Sequence, residues 1–145
     1  MQIENSFVVK CRGIICHEDK ILVVKHAKNA NFYAFPGGHL EHLESPKQCL
    51  EREIIEELGI KPEIDRLLYV NNFLGENGIQ YLEFFFEITN GKDYLDIEKL
   101  TGTHRAELFD ILWVGKNKAI KILPEQAHID FNEDNIFSNE VRWVS

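Results

Sequence analysis

Long apolar runs are missing from this sequence, and so is any excess of positive charge. No stretch of 18 consecutive apolar residues occurs among its 145 residues, so no segment is long enough to cross a bilayer as a helix. Lysine and arginine number 16 against 24 acidic residues, a formal net charge of −8. That balance argues against a nonspecific nucleic-acid binder or a protein that lies on anionic membranes, since both need a positive surface. Nucleotides stay open as ligands, because a small phosphorylated substrate can reach an acidic site as its metal complex. Cysteine is scarce: Cys11, Cys16 and Cys49 form an odd count that suits reduced thiols better than a disulfide framework. Cys11 and Cys16 are too widely spaced for a tight zinc knuckle, and no second pair follows. The start MQIENSFVVK lacks the basic opening and small-residue cleavage site of a signal peptide, so a cytoplasmic location is expected. Repeats, linkers and low-complexity stretches are absent too. With 44% hydrophobic content, one core and a single domain over residues 1–145 are expected.

What the chain does have is a dense signal from Phe35 to Ile60, FPGGHLEHLESPKQCLEREIIEELGI, read as loop, helix and loop. Gly37 and Gly38 after Pro36 mark a turn at which backbone can come close to a ligand. Ser45 stands where an N-cap belongs, Pro46 at the first helical position and Gln48 at the third position of a capping box. Gly59 stands where a C-cap closes the helix. Within that helix the α-helical period puts Glu53, Glu56 and Glu57 on one face and Leu50, Ile54 and Leu58 on a stripe beside it. Like charges at this spacing cost roughly a few tenths of a kcal/mol per pair in a bare helix, and a cation between them reverses the sign. An all-oxygen set suits a hard divalent ion, Mg2+ or Mn2+. Arg52, four residues before Glu56, can hold that carboxylate in place. The plain alternative is a solvated acidic helix face.

The full spacing decides between these two. Gly38, five residues, Glu44, seven residues, Arg52-Glu53-Ile54, one residue, Glu56-Glu57, one residue, Gly59-Ile60 resembles the signature of the Nudix hydrolase family with no mismatch at a specified position. At ordinary residue usage a chance match in a chain this long is rarer than roughly one in a million. The resemblance implies a Nudix-type α/β/α sandwich with a mixed sheet, the signature forming a loop-helix-loop over one end. It also implies metal-dependent cleavage of a phosphoanhydride in a nucleoside diphosphate linked to another group. A nucleoside triphosphate or related nucleotide is the first substrate class. ADP-ribose, a dinucleoside polyphosphate and a non-catalytic nucleotide-sensing module are the alternatives.

By the same resemblance, Glu53, Glu56 and Glu57 would be metal ligands with a backbone carbonyl of Gly37 or Gly38, and Arg52 and Glu44 would orient them. Glu53 is the first candidate for activating water, Glu107 a distant one and Glu98 stands behind it. Relatives that cleave ADP-ribose commonly show a proline some fifteen residues past the signature; here none lies between Pro62 and Pro124. The upstream motif that accompanies coenzyme A substrates is not seen. Sensor modules typically lose signature glutamates, and all of them are present here. Leu43 occupies a position where many relatives carry glycine, which points to a differently bent loop.

Substrate contacts are assigned to the Gly37–Gly38 backbone, to Lys25 for phosphate, to Tyr33 and Phe35 for stacking a base, and to Glu83 for lining a pocket. Against these stand a solvated strand-end lysine, core aromatics and a carboxylate facing a covering element. His39 and His42, inside the signature loop, are read as surface or packing residues along with the other histidines. The expected partner is a small-molecule nucleotide, with no nucleic acid and no membrane, and a homodimer is left open.

Elsewhere the pattern reads as strands. FVVKCRGIICH, with a bulge at Gly13, pairs antiparallel with Ile21–His26; residues 63–74 form another strand and Glu76-Asn77-Gly78 a hairpin tip. Ile79–Ile88 alternates, with Leu82, Phe84, Phe86 and Ile88 on one face and Tyr81, Glu83, Phe85 and Glu87 on the other. A polar segment, Thr89–Arg105, precedes a strand over Ala106–Val114. A helix starts at Pro124 and runs to about Ile136, and Glu140–Ser145 is unassigned.

Overall fold

The alternating and continuous apolar runs assemble around one long first strand. The computed structural model describes residues 7–76 and 78–145. Its elements are β1 (Phe7–His17), β2 (Lys20–Lys25), β3 (Gly37–His39), α1 (Pro46–Leu58), β4 (Ile64–Leu74), β5 (Gln80–Ile88), β6 (Asp110–Gly115), α2 (Glu125–Asn132) and β7 (Arg142–Val144). Short 3-10 turns cover Gly91–Tyr94, Ile97–Lys99 and Arg105–Glu107. The strands order as β6-β2-β1-β5-β4-β7, with β3 added to β1. The sheet is mixed: β1 runs parallel to β5 and β4 parallel to β7, and the remaining pairs are antiparallel.

Two apolar layers cover the sheet. On one side Leu50, Ile54 and Leu58 of α1, each fully buried, pack with Cys11, Ile15, Phe86 and Ile88. On the other, Ala127 and Phe131 of α2 pack with Ile14, Phe35, Tyr69 and Phe85. The result is the α/β/α sandwich expected, and the two faces assigned to Ile79–Ile88 are the two faces observed.

α1 is bounded as its sequence dictates. Ser45 Oγ accepts from the Gln48 N–H at 3.2 Å, while Gln48 Oε1 accepts from the Ser45 N–H at 2.8 Å. Pro46 fills the first helical position, and Gly59 closes the helix at φ 81° with its N–H on the Ile55 carbonyl. An N-cap of this kind contributes about 1 kcal/mol.

Several segments differ from expectation. Gly13 is no bulge: it pairs in register with Phe86, and a Cβ there would lie 2.9 Å from Ile88 Cγ1. The glycine serves close packing instead. β1 meets β2 antiparallel only at Cys16 and His17, its greater length lying against β5. Gly37–His39 is a short strand on β1 rather than free loop. Residues 105–107 form a 3-10 turn and the strand starts at Asp110, because the preceding chain is drawn to α1: the His104 N–H donates to the Glu56 carbonyl. The second helix is shorter than read, ending at Asn132, and the unassigned tail supplies β7. In the expected hairpin tip Asn77 lies outside the described residues, while Gly78 sits at φ 74°.

Leu43 adopts φ 68° and leaves its side chain 91% exposed. A left-handed backbone costs a β-carbon residue roughly 1–2 kcal/mol, partly offset by the greater chain entropy of glycine. Leu43→Gly is therefore expected to stabilise the fold by about 0.5–1 kcal/mol in urea unfolding, with no change in the slope.

Candidate active site

Arg52 gathers the acidic residues of the signature around one guanidinium. Its Nε and Nη2 donate to the two oxygens of Glu44 at 3.1 and 2.8 Å, a bidentate pair, and Nη2 also donates to the His39 carbonyl at 2.9 Å. Its Nη1 donates to Glu53 at 2.8 Å and to Glu56 at 3.4 Å. The Glu41 N–H adds a further bond to Glu44 at 2.8 Å. The Arg52 guanidinium holds the Glu44 carboxyl well below its ordinary value, at about 2.

Glu53 experiences the opposite field. Burial raises its pKa, Arg52 opposes the rise, and Glu57 and Glu56 add to it. Its carboxylate rests on the bare Cα of Gly38, where a Cβ would lie 2.4 Å from Glu53 Cδ. Gly37, at φ 146°, leaves no room either, since a Cβ would meet the Cys11 carbonyl oxygen at 2.0 Å. Glu57 is 5% exposed and accepts from the Gly37 N–H at 3.0 Å, with His26 Nε2 at 3.4 Å from its other oxygen. His104 Nδ1 stands 3.2 Å from Glu56. The loop and helix thus bring together Gly37, Gly38, Glu44, Arg52, Glu53, Glu56 and Glu57, as read from the spacing.

Among the described residues no three side chains already converge as a metal cage, and Arg52 Nη1 bonds both Glu53 and Glu56. The residues still fit a hard cation. A half-buried carboxylate pressed onto glycine, with two more carboxylates raising its pKa, is a set that a divalent ion would relieve.

Elsewhere on the sheet lies a cavity of about 680 Å³, lined by Lys10, Arg12, Asn71, Phe73, Tyr81 and Glu83 among others. Arg12 Nε donates to Glu83 at 2.5 Å and Nη1 to the Phe35 carbonyl at 2.8 Å, and Asn71 Nδ2 donates to Glu83 at 3.0 Å. One short segment serves both places: the Phe35 carbonyl faces Arg12, and the Gly37 N–H faces Glu57.

The remaining sequence candidates distribute unevenly. Glu83 lines the cavity as read. Phe35 corrects the stacking assignment: its ring is fully buried, edge-on to Phe85 at 5.8 Å, and offers no face to a base. Tyr33 is half-buried, and its hydroxyl donates to Asp110 at 2.6 Å, which raises its pKa. Lys25 lies over the rings of Tyr33 and Phe109, at 5.6 and 5.8 Å, rather than in the cavity wall. Glu107 is exposed on its 3-10 turn, its N–H bonded to the His104 carbonyl, and its carboxylate makes no hydrogen bond to the ridge among the described residues. Glu98 is exposed on the preceding turn.

Sequence reasoning missed Lys10, Arg12 and Asn71 in the cavity, and His26 and His104 beside the ridge. A signal existed for the first two: charged residues two apart in an otherwise apolar strand share one face, and charge on a buried face calls for a purpose. The histidines carried no such mark, since their neighbours are brought in from elsewhere in the chain.

An α/β/α sandwich whose loop-helix-loop holds glutamates around an arginine and two glycines is the architecture of a phosphoanhydride hydrolase. The chain belongs to the NUDIX domain family, whose sequence model matches residues 9–133. It is 27% identical over 136 residues to an ADP-ribose pyrophosphatase of Methanocaldococcus jannaschii, covering 90% of this chain and 71% of that protein. It is 29% identical over 111 residues to a bovine diphosphoinositol polyphosphate phosphohydrolase 3-beta, covering 77% and 63%. The chain spans between 45% and 71% of the length of the first curated relatives it matches. Its fold is shared with the crystal structure of a MutT NUDIX hydrolase from Burkholderia pseudomallei, at TM-score 0.69 and 22% identity, covering 91% of this chain and 99% of that one. Hydrolases of this family generally use a divalent metal. No helix among the described residues is long and apolar enough to cross a membrane.

The Glu44 pair has a consequence in acid. A carboxylate whose folded pKa is depressed contributes stability above its ordinary value of 4.5 and loses that contribution as pH falls through about 2. Between those pH values the parent chain is expected to lose more stability than Glu44→Gln, measured as urea midpoints across the range.

Proposed function

We propose that the chain, as one domain in the cytoplasm, hydrolyses a phosphoanhydride bond of a nucleoside triphosphate or related nucleotide, with Mg2+ or, in its place, Mn2+. The observation that supports this most is the seating of the Glu53 carboxylate on Gly38, with Glu56 drawn in by the same arginine and Glu57 buried on the Gly37 N–H. Glu53, Glu56 and Glu57, with the Gly38 carbonyl, are the groups that would hold the ion. When bound, it polarises phosphoryl oxygens and offsets charge on the departing phosphate.

The chain's own residues do the rest. Glu44 clamps Arg52, and Arg52 fixes Glu53 and Glu56; neither needs to touch substrate to govern where those carboxylates lie. Glu53 is assigned to take the proton from the attacking water, with exposed Glu107 as the second candidate. The glycine pair brings backbone rather than side chain to the phosphates, and the cavity lined by Arg12 takes the nucleoside. ADP-ribose is the second reading, favoured by the similarity to an ADP-ribose pyrophosphatase over 90% of the chain. The missing proline between Pro62 and Pro124 counts against it.

The test is release of phosphate or pyrophosphate with Mg2+ across nucleoside triphosphates, ADP-ribose and dinucleoside polyphosphates. Turnover is expected to stop with EDTA. In Glu57→Gln it is expected to fall by about 100-fold or more while the circular dichroism and melting curve stay close to the parent's. Tight nucleotide binding by the parent chain with no turnover of any substrate would instead establish a sensor.

A further inference from the structure

The cavity that Arg12 lines has the size of a nucleoside site, about 680 Å³, and its polar groups are not all spent. Lys10 on β1, Glu83 on β5 and Asn71 on β4 lie in one row across the sheet, since Glu83 is the cross-strand partner of both the others. Glu83 is committed: its two oxygens accept from Arg12 and Asn71. Arg12 is largely committed as well, to Glu83 and the Phe35 carbonyl. What remains is of two kinds. The half-buried Lys10 ammonium lies 5.2 Å from the Tyr81 ring centroid and makes no ion pair or hydrogen bond among the described residues. Asn71, 7% exposed, donates its amide to Glu83 and leaves Oδ1 with no side-chain partner among the described residues.

The row therefore presents, on either side of Glu83, an ammonium that can only donate and an amide oxygen that can only accept. The lining also decides the charge of what fits. Lys10 and Arg12 face three carboxylates, Glu76, Glu83 and Glu125, so the cavity does not favour a second phosphate. A neutral ring fits better, beside Phe73 and Tyr81, whose rings stack on each other at 4.7 Å and 4°.

We propose that this cavity selects a nucleobase bearing a ring carbonyl next to a ring N–H, as in 6-oxopurines and 4-oxopyrimidines. Lys10 donates to the carbonyl and Asn71 Oδ1 accepts from the N–H, which makes both specificity-determining residues. The inference rests on the chain acting on nucleotides, as proposed above. Adenine and cytosine present the reverse pattern: an amino group would meet an ammonium, and a bare ring nitrogen would meet a carbonyl oxygen. A site built this way disfavours such a base because donor would face donor and acceptor would face acceptor.

The experiment is kcat/KM with Mg2+ for GTP, ITP and UTP against ATP and CTP. The oxo bases are expected to lead by about tenfold or more. Lys10→Met is expected to lower kcat/KM for GTP and UTP about tenfold, mostly through KM, and to bring the GTP-to-ATP ratio towards one. Lys10→Arg, which keeps a donor, is expected to retain the preference. A purely structural Lys10 would move every substrate together, and that result, or equal turnover of all five nucleotides by the parent, would overturn the inference while leaving the hydrolase reading intact. Absence of turnover on every nucleotide would strike the hydrolase reading instead. Calorimetric binding of GTP against ATP would then decide the base preference, with equal affinities overturning it.

Discussion

The Arg52 guanidinium is the constraint on which the acidic ridge depends. Four carboxylates, Glu41, Glu44, Glu53 and Glu56, lie within 4 Å of it, and the His39 carbonyl closes the fork. Without a cation there, glutamates on one helical face would turn apart, since they repel at this spacing. Charge-assisted bonds of this sort are worth about 1.5–3 kcal/mol where they are shielded from water, less where solvent screens them. Arg52 and Glu53 are half-buried, so orientation rather than stability is the larger gain. A lysine could not replace it: a point charge has no planar fork to match Glu44 while also reaching Glu53 and Glu56.

The ridge and the cavity are not independent structures. Between them runs the segment from Phe35 to Gly38, which binds Arg12 through a carbonyl and Glu57 through an amide. Two glycines follow because β1 on one side and Glu53 on the other leave no space for a Cβ. Arg12 in the cavity wall is thus joined through this backbone to the buried Glu57 of the ridge. The link between the two comes from a stretch of only four residues.

Much of this is legible in the sequence. The ends of α1 could be read because capping is local chemistry, complete within a few residues, and the ridge because helical geometry fixes what faces what. The two faces of β5 followed from simple alternation. Features that depend on distant partners were not legible. Phe35 looked available for stacking because nothing in its own neighbourhood reveals Phe85. The 3-10 turn before β6 arises because the end of α1 takes the His104 amide, a contact between segments far apart in the chain. β7 is three residues long and exists only because β4 offers it an edge. Gly13 was read as an interruption, whereas its role is to let Ile88 approach, and no local pattern distinguishes those cases.

β1 carries a further implication. Its successive residues Cys11 and Arg12 look to opposite layers, one towards α1 and the other into the cavity, and the same strand pairs with β3 and β5 at once. A slip by a single residue would drive Lys10 and Arg12 into the oily layer beneath α1 and expose its apolar neighbours in their stead. Misaligned chains would thus lose the charged lining of the cavity and the packing under α1 in the same stroke.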